Sequence, residues 1–251
     1  MTTASPASVR HAVVLAAGNG DRFKNGTRRS KLLHAVAGQP LILRTLATAA
    51  EAGISSFEIV VGYQADALRQ VVEPNAPRGT TVHFTHNPEW RLENGLSVLA
   101  VRDRFRDRRF ALLMGDHVFE APMLSALLRV ALGPDESVLA IDARPASAAV
   151  AAEATQVRLS GDRITAIGKE LGAYDALDTG LFVCAPTLFN ALENARAGGD
   201  TTLSGGIRHL AARGLMRAAD IHGAAWYDID TLADLESAES LLTRQSSPEP
   251  V

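Results

Sequence analysis

The chain has a single cysteine, Cys184. Intrachain disulfides and cysteine-based metal clusters are thereby excluded. Lysine is almost as scarce, occurring only as Lys24, Lys31 and Lys169, while arginine supplies the other basic side chains. A lysine kept against that bias points to work for a compact point charge that a planar guanidinium cannot do; chance is the alternative for each. No apolar run approaches the roughly 20 residues of a membrane span. Residues 1–8 lack the basic and apolar regions of a secretory signal. The formal net charge is −3, which argues against a general affinity for nucleic acid or anionic membranes. These absences lead us to expect a soluble, cytoplasmic protein with no nucleic-acid partner and no membrane segment. A homodimer is left open.

What is present is concentrated near the start. Val13-Val14-Leu15-Ala16-Ala17-Gly18-Asn19-Gly20-Asp21-Arg22-Phe23 is an apolar, β-branched run that ends in two small residues and a pair of glycines, with Lys31-Leu32-Leu33 close behind. Glycines let backbone N–H groups come close to a phosphate. Arg22 and Lys31 can add positive charge to the same anion. The segment therefore predicts a triphosphate cradle after a first strand; a tight turn after a buried strand is the simpler alternative. Two other glycine loops do not fit. The dinucleotide fingerprint needs a third glycine where Phe23 stands. The P-loop string G-x-x-x-x-G-K-[ST] does not occur.

Strand-like and helix-like runs alternate along the chain. Strands are expected at 11–16, 57–61, 80–85, 110–114 and 137–141, with helices at 40–52, 64–73, 95–105 and 122–132 between them. This order predicts an α/β fold, a single domain built on a mostly parallel, doubly wound, Rossmann-like mixed sheet. A hairpin follows, 155–159 and 163–167 around Ser160-Gly161-Asp162. A strand at 181–184, helices at 186–195 and 203–213, strands at 216–222 and 225–229, and a helix at 232–242 complete the expectation. We expect a flexible arm at 1–10, one domain over 11–242 and a disordered tail at 243–251. The domain divides into a nucleotide half, about 11–142, and an acceptor half, about 143–242.

Acidic residues mark the ends of two of these runs. Ala111-Leu112-Leu113-Met114 stops at Gly115-Asp116-His117, and ligands of parallel sheets sit beyond the carboxyl ends of the strands. Asp116 there suits Mg²⁺, which takes one or two carboxylates along with phosphate oxygens; a turn or helix-capping role is the alternative. In Trp226-Tyr227-Asp228-Ile229-Asp230-Thr231 the two aspartates share a face if the segment is extended. Asp230 is also placed to cap the following helix, whereas Asp228 has no such use and is the better metal candidate. Lys169, after Arg163-Ile164-Thr165-Ala166-Ile167-Gly168, is either a surface lysine or a contact for an acceptor's phosphate. His117 is adjacent to Asp116 but has no assigned ligand role.

These residues resemble the nucleotidyltransferases that activate sugar or alcohol phosphates with a nucleoside triphosphate. The resemblance rests on Leu15-Ala16-Ala17-Gly18-x-Gly20-x-Arg22, Lys31-Leu32, Gly38-Gln39-Pro40-Leu41, Val60-Val61-Gly62-Tyr63, Gly115-Asp116 and Trp226-x-Asp228-x-Asp230-Thr231, and it covers nearly all of 13–242. Three segments are most similar to the CTP:inositol-1-phosphate cytidylyltransferases: Asn87-Pro88-Glu89-Trp90-x-x-x-Asn94-Gly95-Leu96-Ser97, Met114-Gly115-Asp116-His117, and Ile167-Gly168-Lys169 with Asp178-Thr179-Gly180. Many members carry a fused membrane-embedded synthase domain, and none is expected within these 251 residues. Residues 143–154 are rich in alanine where members tend to carry charge.

The resemblance implies a Mg²⁺-dependent cytidylyl transfer from CTP to inositol-1-phosphate. It implies that Leu15, Ala16, Ala17, Gly18, Asn19, Gly20, Arg22 and Lys31 surround the CTP phosphates. Asn87, Asn94, Gly95 and Ser97 would lie near the base and ribose. Asp116 and Asp228, with Asp230 as a further candidate, would hold Mg²⁺. Lys169 would meet the acceptor phosphate, and Asp142, Asp178, Thr179 and Gly180 are grouped with it on the acceptor side. Arg22, Lys31 and Lys169 are the expected catalytic side chains. Another phosphorylated acceptor, such as phosphocholine, a phosphonate or a hexose-1-phosphate, would keep the chemistry. A silent nucleotide-binding homologue could have lost Arg22, Lys31, Asp116 and Asp228, all of which are present.

Overall fold

The computed structural model describes residues 9–20, 23, 29–144 and 154–245. Arg22, most of the expected arm and tail, and most of the alanine-rich stretch lie outside these residues. The chain starts with β1 (His11–Ala16), a single 3₁₀ turn (Lys31–Leu33), and a two-strand ribbon, β2 (Ala35–Val36) and β3 (Gln39–Pro40). Then come α1 (Leu41–Glu51), β4 (Ser56–Val61), α2 (Ala65–Val72) and β5 (Thr81–His86). Next are α3 (Asn94–Leu99), α4 (Arg102–Phe105), β6 (Phe110–Met114), β7 (His117–Phe119), α5 (Ala121–Leu127) and β8 (Ser137–Asp142). The second half holds β9 (Gln156–Ser160), β10 (Arg163–Gly168), β11 (Ala176–Cys184), α6 (Thr187–Ala197) and α7 (Leu203–Ala212). It ends with β12 (Met216–Asp220), β13 (Trp226–Asp228) and α8 (Leu232–Gln245).

Nine strands form one mixed sheet in the order β5-β4-β1-β6-β11-β8-β12-β10-β9. The strands β5-β4-β1-β6 are parallel throughout. β11 runs antiparallel to both β6 and β8, while β12 is parallel to β8. The pleat sends successive side chains to opposite faces. Ala12, Val14 and Ala16 of β1 join one buried layer with Phe57, Ile59 and Val61 of β4. Val13 and Val60 join the other, with Phe110 and Leu112 of β6. Residues of α1, α2, α5 and α8 pack in the first layer, and residues of α3, α4, α6 and α7 in the second. Burial on both faces explains why these strands read as continuous apolar runs rather than as alternations.

Several elements depart from the expected bounds. The expected helix at 95–105 is two helices, because Val101 leaves helical geometry (φ −102°, ψ 5°) and its side chain is fully buried. The expected strand at 181–184 begins at Ala176, since Asp178-Thr179-Gly180 stays in the strand with a register shift between Asp178 and Phe182. α8 runs on through residues 243–245, which were expected to belong to the tail; no helix breaker occurs there before Pro248. β7 was not expected at all.

Gly62, just past β4, shows how tightly the sheet edge is built. A Cβ at Gly62 would lie 2.6 Å from Trp90 Cγ and 2.8 Å from the carbonyl oxygen of Ala17. Tyr63 donates its N–H to that same oxygen at 3.0 Å. Gly62→Ala is therefore expected to destabilise by roughly 1–3 kcal/mol, the usual cost of overpacking. Denaturant titration checks this, and wild-type stability would show that Trp90 is free to move away.

Candidate active site

The carboxyl edges of β1, β4, β6 and β8 face one side of the molecule, and the chain's rare lysine is brought to them. Gly20 (φ 63°) accepts the N–H of Phe23 at 2.8 Å, which turns the chain back. Buried Leu32 and Leu33 then anchor the 3₁₀ turn that opens at Lys31. Ser30 donates its backbone N–H to Gln64 Oε1 at 2.8 Å, and Gln64 is held in the left-handed region (φ 51°, ψ 38°). The Lys31 stem runs beside Gly20, where a Cβ would sit 3.2 Å from Lys31 Cγ and Cδ.

The Lys31 ammonium ends between two carboxylates. Nζ lies 2.8 Å from Asp116 Oδ2 and 2.9 Å from Asp230 Oδ1, and the side chain is 10% exposed. Burial opposes the charge, but Asp116, Asp230 and Asp228 outweigh it and hold Lys31 above the usual lysine range. It is a permanent cation at physiological pH.

Two short strands assemble the rest. Gly115 donates its N–H to the Leu15 carbonyl at 2.9 Å, which keeps the end of β6 against β1. β7 starts directly after Asp116 and pairs antiparallel with β13, so that Asp228 stands opposite His117. Ile229 N–H donates to the Asp116 carbonyl at 3.1 Å. His117 Nδ1 is 3.0 Å from Asp116 Oδ1 and 3.7 Å from Asp228 Oδ1. The far side of the imidazole packs against Gly180, where a Cβ would lie 2.6 Å from Nε2.

Negative charge exceeds what Lys31 and His117 neutralise. Burial opposes ionisation of Asp116, but Lys31 and His117 overcome it and hold that carboxyl well below the usual range. Burial also disfavours the charged imidazole, yet Asp228, Asp116 and Asp178 raise His117 to about 9. Burial pushes Asp228 up to about 6, against His117 and with help from Asp116 and Asp230. Burial likewise raises Asp178 to about 6, against the Gly180 N–H and His117.

Among the described residues, Asp116, His117 and Asp228 form a group whose ligand atoms lie within 4.8 Å of one another. Two hard carboxylate donors, one of them 43% exposed and open to a ligand, with surplus negative charge, fit a Mg²⁺ that keeps waters and phosphate oxygens.

The structure thus gathers Lys31, Asp116 and the Asp228–Asp230 segment, which lie far apart in sequence. α8 begins two residues after Asp230. Thr231 and Asp234 cap it reciprocally, Asp234 Oδ2 accepting the Thr231 N–H at 2.7 Å and Thr231 Oγ1 accepting the Asp234 N–H at 3.2 Å. Beside that cap, Asp230 meets Lys31.

The remaining candidates are more dispersed. Leu15 and Ala16 end β1, with Ala17, Gly18 and Asn19 directly beyond it. Asn87 donates to Ser97 Oγ at 3.0 Å and accepts the Glu89 N–H at 2.9 Å, and both Asn87 and Ser97 are buried. Asn94 Oδ1 accepts the Leu203 N–H at 2.9 Å. Gly95 packs on the 201–202 backbone, where a Cβ would be 2.5 Å from the Thr201 carbonyl. Thr179 turns inward to the Ala140 carbonyl at 2.8 Å. Asp142 accepts the indole N–H of Trp226 at 3.0 Å. Lys169 is exposed just past β10. In the sheet Gly168 lies opposite Gln156, and Gln156 opposite Leu177. That is two strand spacings, about 10 Å, from the strand that carries Asp178. His117 was given no ligand role from sequence. Only the β7–β13 pairing reveals its place between Asp116 and Asp228, and a three-residue strand leaves no periodic signal.

A glycine loop after the first parallel strand, with lysine and carboxylates gathered at the neighbouring strand edges, defines a nucleotidyltransferase site. The chain matches the MobA-like NTP transferase domain family over residues 12–215 and belongs to it. It is 37% identical over 234 residues to the bifunctional IPC transferase and DIPP synthase of Rubrobacter xylanophilus, covering 92% of this chain and 51% of that protein. The protein of the same name from Aquifex aeolicus is 32% identical over 239 residues, covering 94% and 52%. The CMP-5'-(3-aminopropyl)phosphonate synthase of Streptomyces rubellomurinus is 33% identical over 261 residues, covering 95% and 40%. The chain spans about half the length of the first two of these curated relatives. Its fold is that of the inositol-1-phosphate CTP transferase from T. maritima, with a TM-score of 0.84 at 23% identity over 98% of this chain and 99% of that one. UDP-glucose pyrophosphorylase shares the fold with a TM-score of 0.79 at 16% identity, over 94% and 99%. No helix among the described residues is long and apolar enough to cross a membrane.

Proposed function

We propose that the protein transfers a cytidylyl group from CTP to inositol-1-phosphate, giving CDP-inositol and pyrophosphate, in the cytoplasm. The observation that carries this is the Lys31–Asp116–Asp228–Asp230 cluster beside the glycine loop, in a chain whose relatives bear these names. An oxygen of the acceptor phosphate attacks the α-phosphorus of CTP. The new P–O bond forms as the bond to the β-phosphate oxygen breaks, and pyrophosphate leaves. A phosphate monoester is mostly dianionic at neutral pH, so the nucleophile needs no general base. The difficulty is bringing two anions in line, and positioning with fixed charge meets it.

Lys31 supplies a charge that does not titrate away and whose direction Asp230 fixes. Backbone N–H groups of the glycine loop, with Arg22, take the phosphates. Asp116 and Asp228 would hold Mg²⁺, which when bound neutralises charge on the phosphate oxygens. Lys169 orients the acceptor phosphate. The aminopropylphosphonate relative favours a phosphonate as the second acceptor to try. The test is pyrophosphate release from each of the four nucleoside triphosphates against a panel of inositol-1-phosphate, phosphocholine, hexose-1-phosphates and phosphonates. CTP with inositol-1-phosphate should give the highest kcat/KM. A faster reaction with any other pair would overturn the assignment.

Lys169→Ala should act on the acceptor side. Its loss should raise the apparent KM for inositol-1-phosphate about tenfold or more and lower turnover if the contact tightens in the transition state. CTP binding without acceptor should barely change. A tenfold weaker calorimetric affinity for CTP would move Lys169 to the nucleotide.

A further inference from the structure

Asp142 lies at the end of β8 and is only 5% exposed. A buried carboxylate is costly unless its oxygens are satisfied. Both are: Oδ2 accepts the Trp226 indole N–H at 3.0 Å, and Oδ1 accepts the Arg144 backbone N–H at 2.9 Å. The group is therefore committed to the protein rather than presented to a ligand. Its partner Trp226 belongs to β13, which pairs with β7 and stands outside the nine-stranded sheet. The Asp142–Trp226 bond is thus a side-chain tie from the main sheet to the ribbon that carries Asp228.

The tie continues toward the metal candidates. The Trp226 ring stacks on His117, with centroids 6.3 Å apart and planes at 19°. His117 Nδ1 then reaches Asp116 at 3.0 Å and Asp228 at 3.7 Å. Trp226 and Asp228 are two residues apart on one strand and so project to the same face.

We infer that Asp142 and Trp226 are positioning residues for the cation site: Asp142 fixes the indole, the indole fixes the plane of His117, and His117 sets the separation of Asp116 and Asp228. This rests on the proposal that those two carboxylates hold a divalent cation. It removes Asp142 from the acceptor contacts with which the sequence grouped it. Carboxylates that ligate metals commonly depend on such outer partners, whose loss costs 10- to 100-fold in affinity.

The test is binding of the Mn²⁺–CTP complex to the full chain, followed by the enhancement of water proton relaxation over a protein-free Mn²⁺–CTP control, with acceptor KM measured alongside. Trp226→Phe keeps an aromatic ring but loses the five-membered ring that carries the N–H. Asp142→Ala removes the acceptor of that bond. Each should weaken Mn²⁺ binding about tenfold and change the KM for inositol-1-phosphate less than twofold. The double variant should lose no more than the worse single, because both break one bond. Asp142→Asn keeps one acceptor oxygen, which can still take the indole N–H while the Arg144 N–H loses its partner, and it should retain Mn²⁺ affinity within about threefold. Unchanged Mn²⁺ affinity in folded Trp226→Phe or Asp142→Ala would overturn the inference. If neither folds, Asp142→Asn decides: retained Mn²⁺ binding with normal acceptor KM supports the tie, and a raised acceptor KM puts Asp142 back on the substrate. Failure of the wild-type protein to bind Mn²⁺ with CTP would instead overturn the cation reading beneath it.

Discussion

Lys31→Ala should lower turnover about 10²- to 10³-fold with CTP and acceptor saturating, the usual scale for losing preorganised charge at a reacting centre. The side chain is 10% exposed and bonded to Asp116 and Asp230, so its charge acts where water does little to screen it. Leu32 and Leu33 hold the turn through their own burial, and the variant should fold. Lys31→Arg should rescue poorly. The stem passes close beside Gly20, and a broader guanidinium cannot reproduce a point charge at that place. Near-wild-type kinetics in the alanine variant would remove Lys31 from the site.

Asp116→Asn and Asp228→Asn should each reduce Mg²⁺-dependent activity on the order of 10²-fold. Their effects should be far from additive, because either loss disables an ion that both hold. A double variant whose loss equals the product of the single losses would contradict a shared ion. Stability should move the other way for Asp228. Burial raises its folded pKa from 3.8 to about 6. An acid raised in this way costs stability as pH climbs from about 4 through 6, since the unfolded chain ionises first. At pH 7 without metal, Asp228→Asn should therefore melt no lower than wild type while its activity collapses. The side chain is 43% exposed, so the gain in melting temperature should be small. A clear fall in melting temperature would show that the carboxylate has a structural use.

Much of this was written in the chain. Runs such as Ala12–Val14 and Phe110–Leu113 are buried on both faces, and such strands announce themselves by continuous apolar composition. Lys31, Asp116 and Asp228 come together: the carboxyl end of β6 delivers Asp116, the 3₁₀ turn brings Lys31, and the β7–β13 ribbon brings Asp228. What escaped depends on contacts distant in sequence. β7 follows β6 after two residues and is three residues long, too short for any period to show. Without its pairing to β13, neither the closeness of His117 to Asp228 nor the use of Trp226 could be foreseen. For Asp230, neither the bond to Lys31 nor the neighbouring reciprocal Thr231–Asp234 pair was readable from the sequence. Asp178-Thr179-Gly180 lay outside the strand expected at 181–184, yet β11 runs through it, with Gly180 at φ 77° seating His117.

The central claim is that an acceptor phosphate oxygen attacks the α-phosphorus of CTP at the Lys31–Asp116–Asp228 site. It is tested most directly with inositol-1-phosphate labelled with ¹⁸O in its phosphate, with the products resolved by ³¹P NMR. All of the label should appear in CDP-inositol, part of it in the new bridge between the two phosphorus atoms, and the pyrophosphate should carry none. Label in pyrophosphate, or CTP consumed without CDP-inositol, would contradict it.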